Sequence, residues 1–261
     1  MADFFTYDFG YSWPWSYGHL AAAGVFIGIG VLALLLGWRK WTVAASAVAT
    51  LWALAAFVAF DSGLHRPAEL PTPRFLESGR GRVLDGGAGS GRATLMVLLA
   101  RPHASVVALD LFSEGYGIDG NQPDRLRANA RAAGADQRLE IKKGDLRALP
   151  FEAGSFDAAV SSFAIDHLGK KGSQQAIAEM ARVLRPAGQF LLMVLNTDGY
   201  VKFAYPLIHF HMYYGHGGSP ERWRTALAAA GFDVVEQGTQ PATMYVLAEK
   251  RGSAVLRGGV Q

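Results

Sequence analysis

At 261 residues the chain has room for one large domain, or for one domain with an appendage. Half of its residues are apolar, 18% are charged and the net charge is +3, with no Lys/Arg block interleaved with aromatics, so a nucleic-acid partner is not expected. Cysteine is absent, which excludes disulfides, thiolate metal sites and a cysteine nucleophile.

The apolar excess is concentrated before Asp61. Leu20 to Leu36 and Trp41 to Phe60 are two uncharged runs separated by Arg39-Lys40. Twenty helical residues rise about 30 Å, close to the hydrocarbon thickness of a bilayer. Gly24 and Gly28 in the first run, and Ala45 and Ala49 in the second, recur at the four-residue spacing that allows close helix approach in lipid. Trp13, Trp15, Tyr17, Trp38 and Trp41 fall where interfacial aromatic belts form. Residues 1–60 therefore predict a transmembrane helical hairpin whose surfaces can also pair copies of the chain into a homo-oligomer. A signal peptide does not fit, because the N-terminus is acidic and aromatic (Asp3, Asp8) and a second apolar run follows. Two full spans would leave Arg39-Lys40 on the far side, against the positive bias of cytoplasmic loops; a shallow hairpin that never fully crosses relieves this.

Asp61 to Arg80 carries Pro67, Pro71 and Pro73 and reads as a linker with at most a short helix. From Gly81 short apolar runs alternate with helical patterns. Strands are predicted at Arg82–Asp85, Val106–Asp110, Leu139–Lys143, Phe156–Ser161 and Gln189–Leu195. Helices are predicted at Gly91–Ala100, Pro123–Ala133 and Ser173–Leu184. A helix at Pro220–Ala230 and strands at Asp233–Gln237 and Thr243–Glu249 complete a domain over 81–250, with 251–261 as a tail. Such alternation implies an α/β fold with a parallel sheet, helices on both faces and ligands at the carboxyl ends of the strands.

The first strand runs into VLDGGAGSGRAT, which places Asp85, Gly87, Gly89 and Gly91 in a D-x-G-x-G-x-G spacing. A dinucleotide fingerprint wants G-x-G-x-x-G, and reading from Gly87 and Gly89 puts Arg92 where its third glycine belongs. An acid directly before the turn suits a positive α-amino group and would repel a pyrophosphate. Asp110 ends the second strand, where a carboxylate can hold ribose hydroxyls. Asp145 follows the third, where it can accept from an adenine amino group, and Ser161-Ser162 end the fourth.

In this order the motifs resemble the class I S-adenosylmethionine (SAM)-dependent methyltransferases, closest to the small-molecule branch that includes quinone and sterol methyltransferases. The resemblance is firm over about Arg82 to Leu195. It implies a Rossmann-like seven-stranded methyltransferase sheet of order 3-2-1-4-5-7-6, its last strand antiparallel, with SAM as cofactor. Asp85, Gly87, Gly89 and Gly91 would hold the methionine part, Asp110 the ribose and Asp145 with Leu146 the adenine. Leu111 is placed against the ring, and Ser161 among the cofactor-binding residues. The segment LFSEGYGIDGNQ after Asp110 is longer than a simple strand-to-helix turn.

Asp166-His167, just beyond the fourth strand, is the candidate catalytic pair; a neutral His could take a proton from a hydroxyl, thiol or acidic carbon. A long aromatic insert, Asn196–Gly218, suggests a lid that covers an apolar substrate, together with the aromatic N-terminus. Its His209, His211 and His216 lack a carboxylate or thiol companion, and no metal site is expected. The reading is a membrane-bound methyltransferase, its catalytic domain facing the cytoplasm where SAM is found, acting on a hydrophobic small molecule or lipid. Alternatives are a thiol or xenobiotic methyltransferase, an NAD-dependent oxidoreductase and a non-catalytic membrane scaffold.

Overall fold

The computed structural model describes residues 6–59, 61–114, 118–196, 202, 220–240 and 242–252. The chain divides into two compact units. A hairpin unit comprises Met1–Ala68, Gly89–Arg92 and Phe112–Ala132, and a sheet unit comprises Glu69–Ala88, Ala93–Leu111 and Ala133–Gln261.

In the hairpin unit, α1 (Trp13–Leu35) and α2 (Lys40–Ala59) are antiparallel neighbours. Pro14 lies at the start of α1, where the missing N–H would be unsatisfied in any case. Gly37, at φ +64°, ends the helix: its N–H donates to Leu34 O and that of Trp38 to Ala33 O, a Schellman closure. The helices meet through Ala23, Gly30 and Ala33 on α1 and Ser46, Ala53 and Ala56 on α2. A Cβ on Gly30 would stand 3.3 Å from that of Ser46. This corrects the expected contact stripe, since Gly24, Gly28 and Ala45 point outward. The rotation follows from a polar contact that apolar spacing does not register: His19 Nδ1 lies 2.9 Å from Oδ1 of the fully buried Asp61, and the edge of Trp52 abuts the imidazole.

What faces outward is apolar. Val25, Ile27, Val31, Leu34 and Leu35 on α1, with Val48, Leu51 and Val58 on α2, are exposed, and Trp13 and Trp41 stand at opposite ends. Both helices are long and apolar enough to cross a membrane, and only 17% and 18% of their most apolar windows are buried. A core helix of the same composition would be mostly covered. After α2 the expected linker opens with a 3-10 turn at Asp61–His65.

The sheet unit contains β1 (Arg80–Gly86), α3 (Arg92–Ala100, its first residue in the hairpin unit), β2 (His103–Asp110), β3 (Leu139–Lys143) and β4 (Phe156–Ser162). The hairpin unit holds α4 (Pro123–Ala132); α5 (Gly169–Val183), β5 (Leu184–Leu195), α6 (Pro220–Ala229), β6 (Phe232–Gln240) and β7 (Thr243–Lys250) complete the sheet unit. The sheet order is β3-β2-β1-β4-β5-β7-β6, with β7 antiparallel to both neighbours. This is the expected Rossmann-like architecture. Central strands are buried on both faces, so the middles of β1 (Val83 and Leu84) and β4 (Ala158, Ala159 and Val160) are apolar without interruption. Leu84, Val107, Phe156, Ile177, Met180 and Phe190 belong to one core.

Arg138 ties the far end of α3 to β2. Its guanidinium donates to Leu98 O at 2.8 Å, Ala104 O at 2.8 Å and Arg101 O at 3.2 Å, satisfying carbonyls that the helix end leaves open. Arg138→Ala is expected to lower stability by about 2 kcal/mol, since removing a charged donor strands buried acceptors. Urea denaturation of the two proteins in the same detergent would show an earlier midpoint for the variant.

Candidate functional site

The chemistry gathers at the carboxyl ends of β1, β2, β3 and β4. Asp85 is fully buried at the end of β1. Its Oδ2 accepts a 2.5 Å hydrogen bond from Thr94 Oγ1, and its Oδ1 is buried with no partner among the described residues. Burial pushes the carboxyl up to about 7, with Thr94 opposing and the charge of Asp110 adding to the rise. The sequence reading missed Thr94, which α3 delivers nine residues after the acid.

The turn after β1 is shaped by Gly87 at φ +78°, where a Cβ would stand 2.2 Å from that of Ala164. The N–H groups of Gly87 and Ala88 donate to Leu109 O at 2.8 and 3.1 Å. Those two amides fasten β1 to β2. Ser161, fully buried, donates from Oγ to Gly86 O at 2.7 Å. Its hydroxyl therefore locks the tip of β1 to β4.

At the next two tips, Asp110 is half-buried and Leu111 exposed. Asp145 is gripped by Arg147, whose Nη2 approaches Oδ2 at 2.6 Å and whose backbone N–H donates to Oδ1 at 2.8 Å. The Arg147 guanidinium holds this carboxyl below the usual range. A carboxylate has about four lone-pair sites, so capacity for a further donor remains. Leu146 is buried beside it.

The structure separates the two members of the candidate pair. Asp166 is buried, its Oδ2 accepting from Leu195 N–H at 3.2 Å and its Oδ1 without a partner among the described residues, whereas His167 is exposed. Burial raises the Asp166 carboxyl, opposed by the nearby charges of His167 and Arg222. Arg222, on α6, was not singled out in the sequence because it follows the long insert with no motif around it. His209, His211 and His216 lie outside the described residues, as does nearly all of the proposed lid; no metal-binding cluster occurs among the described residues.

Gly89 and Gly91 belong to the hairpin unit. Both have positive φ, and a Cβ on Gly91 would stand 2.9 Å from Leu126 Cγ. In the same unit the N-terminal segment of residues 7–11 lines a cavity of about 290 Å³ with Tyr17, Ser16 and His65.

Residues 83–188 match the methyltransferase domain family. The chain is 38% identical over 134 residues to a ubiquinone/menaquinone biosynthesis C-methyltransferase, UbiE, of Dinoroseobacter shibae, covering 50% of each chain. It is 34% identical over 110 residues to a 24-methylenesterol C-methyltransferase of Oryza sativa subsp. japonica, covering 42% of this chain and 28% of that one. A SAM-dependent methyltransferase structure from Methanosarcina mazei superposes with a TM-score of 0.54 at 22% identity, over 71% of this chain and all of that one. Residues 83–188 thus match a methyltransferase domain, and the sheet unit has the fold of SAM-dependent methyltransferases. SAM is the cofactor that this likeness implies. The chain spans about half the length of the quinone methyltransferases it matches.

The residues present fit this cofactor. The unpartnered Oδ1 of Asp85 is a buried acceptor suited to the ammonium of an amino-acid moiety, and Gly87 leaves room that any side chain would fill. A cationic ligand favours ionised Asp85 and so lowers its pKa from about 7. The free protein then binds more protons than the complex below that value, and linkage requires binding to strengthen as pH rises. SAM affinity should increase up to about tenfold per unit between about pH 5.5 and 7, with proton release on binding. Calorimetry in buffers of different ionisation enthalpy would show this. Asp85→Asn should bind weakly with no such slope, and a wild-type affinity that falls with rising pH would contradict the assignment.

Proposed function

We propose that the chain is a membrane-anchored methyltransferase that transfers the methyl group of SAM to a hydrophobic small molecule or lipid. The observation that carries the transfer is the buried carboxylate of Asp85, with one oxygen unpartnered, at the end of the first strand of a methyltransferase sheet. SAM supplies an activated methyl on a sulfonium, so the protein has to bind, align and exclude water. In this reading Asp85, Gly87, Gly89 and Gly91 hold the amino-acid part, Asp110 the ribose, and Asp145 with Leu146 and Leu111 the base. Ser161 positions the tip of β1.

The acceptor class is supported by two independent features. Matched relatives carry quinone and sterol methyltransferase names, and the hairpin exposes a continuous apolar surface with Trp13 at one end and Trp41 at the other. Lipophilic acceptors reside in the bilayer, so an enzyme held there by α1 and α2 meets them at high local concentration. The sheet unit is assigned to the cytoplasmic side, where SAM is available.

A proton must leave an acidic carbon or hydroxyl when it is methylated. Asp166 is the better placed of the candidate pair to receive it: buried, with a raised carboxyl and an unpartnered oxygen. His167, at the surface, supplies electrostatic modulation of that acid.

Purified full-length protein in lipid vesicles, given SAM labelled in its methyl group and a short-chain quinol or sterol acceptor, should move label into the organic phase. Asp166→Asn should lower turnover about 100-fold with SAM affinity preserved, and His167→Ala much less. Label remaining in SAM across a panel of apolar acceptors, despite tight SAM binding, would overturn the acceptor class. Unchanged turnover in Asp166→Asn would make that residue a support for the tip of β5.

A further inference from the structure

The turn that follows β1 is held from two sides by the base of the apolar hairpin, and the side chains that do so occupy the two non-glycine positions of its second half. Ser90, buried, donates from Oγ to Phe9 O at 2.6 Å, in the segment that leads into α1. Arg92 donates from Nε to Arg66 O at 2.9 Å and from Nη2 to Gly63 O at 3.0 Å, in the segment that leaves α2. Ala68 N–H closes the same contact on Arg92 O at 3.3 Å.

Asn129 on α4 reinforces the first arm. Its amide nitrogen donates to Ser90 O at 3.0 Å and Asp8 O at 2.8 Å, while its Oδ1 accepts from Asp8 N–H at 2.9 Å. All three bonds of this buried amide thus join residue 8 to the turn. The N-terminal segment is fixed further by Gly10 O accepting from Asp119 N–H at 2.7 Å, by a bridge between Tyr11 and Ile118, and by an ion pair of Asp8 with Arg125. Ser16 Oγ, in the first turn of α1, in turn donates to Tyr11 O.

A plain tether would need no such contacts. A membrane anchor connected by a linker works at any linker conformation, whereas here charged and hydroxyl donors from the turn are committed to backbone on both flanks of the hairpin. We infer that Ser90 and Arg92 couple the cofactor turn to the hairpin base, so that SAM affinity depends on how the hairpin is seated and SAM in turn stiffens the hairpin base. The inference rests on the proposed role of Gly89 and Gly91 in holding SAM. It explains why an arginine stands where a dinucleotide-binding turn has its third glycine: the position serves the hairpin, not the ligand.

Coupling between two sites is reciprocal. For the full-length wild type in phosphatidylcholine nanodiscs, hydrogen exchange at residues 7–11 and 63–68 should slow on adding SAM. Ser90→Ala and Arg92→Met should each raise the Kd for SAM, measured by calorimetry, by about fivefold or more, and Ser90→Thr should restore it. Moving the wild type from nanodiscs into detergent should weaken SAM binding in the same direction. Wild-type binding of SAM with unchanged exchange at both segments, and variants within twofold of wild type, would overturn the coupling. Should either variant fold poorly, the exchange response of the wild type alone decides. Absence of any SAM binding by the wild type would instead sink the functional assignment.

Discussion

A half-satisfied carboxylate at the end of β1 is the constraint to which the rest of the sheet unit answers. Burying an ionised Asp without a full set of partners is costly, and Asp85 has a hydroxyl on one oxygen and nothing among the described residues on the other. The groups around it keep it there. Ser161 fixes the carbonyl of the next residue, Leu109 O holds the two amides after that, and Gly87 lets the chain turn past Ala164 at a distance no side chain would allow. The free protein therefore stores an unmet demand for a cation at one point, and the surrounding backbone cannot relax to meet it.

The hairpin follows a different logic. Its outward surface is apolar and its interior contact is made by small residues, the arrangement expected where lipid, not water, surrounds a pair of helices. Its polar contacts between distant residues include His19 with Asp61 and Arg92 with the carbonyls of Gly63 and Arg66, and Ser16 bonds to Tyr11 O, while Ser46 and Thr50 within α2 donate back to the carbonyls of Thr42 and Ser46. An unsatisfied group deep in hydrocarbon would cost several kcal/mol, so the hydrogen-bonding capacity is placed where water and backbone can share it.

The sheet order and the positions of the acids were legible because both follow from periodicity: a buried parallel strand is a short apolar run, and its ligand-facing tip is the first polar residue after it. Partners were not legible. Nothing in the spacing says that Arg147 closes on Asp145, that Thr94 reaches back nine residues to Asp85, or that Ser161 turns to a carbonyl. Each depends on which way a side chain leaves a fold assembled from distant segments. The rotation of α1 against α2 escaped for the same reason, since Gly24 and Gly28 have suitable spacing but the His19–Asp61 contact selects another face. Arg92 was legible only as a misfit to a dinucleotide motif, and its use became visible with its acceptors.

The acids at the strand tips are not equivalent, and their differences assign distinct tasks. Arg147 keeps Asp145 ionised and compensated, so it can orient a neutral donor without drawing in a cation. Asp85 has no cationic partner among the described residues and sits near neutrality, which makes it the point where a ligand ammonium changes the charge state of the site. That ammonium survives methyl transfer, because the reaction removes only the charge on sulfur. In the proposed reading Asp85 would grip the amino-acid part of substrate and product alike and give no direction to turnover. Discrimination between them must come from elements that respond to something other than the amino group. Within the hairpin unit, the turn carrying Gly89 and Gly91 has the contacts for that, since Ser90 and Arg92 tie its conformation to the backbone of Phe9, Gly63 and Arg66.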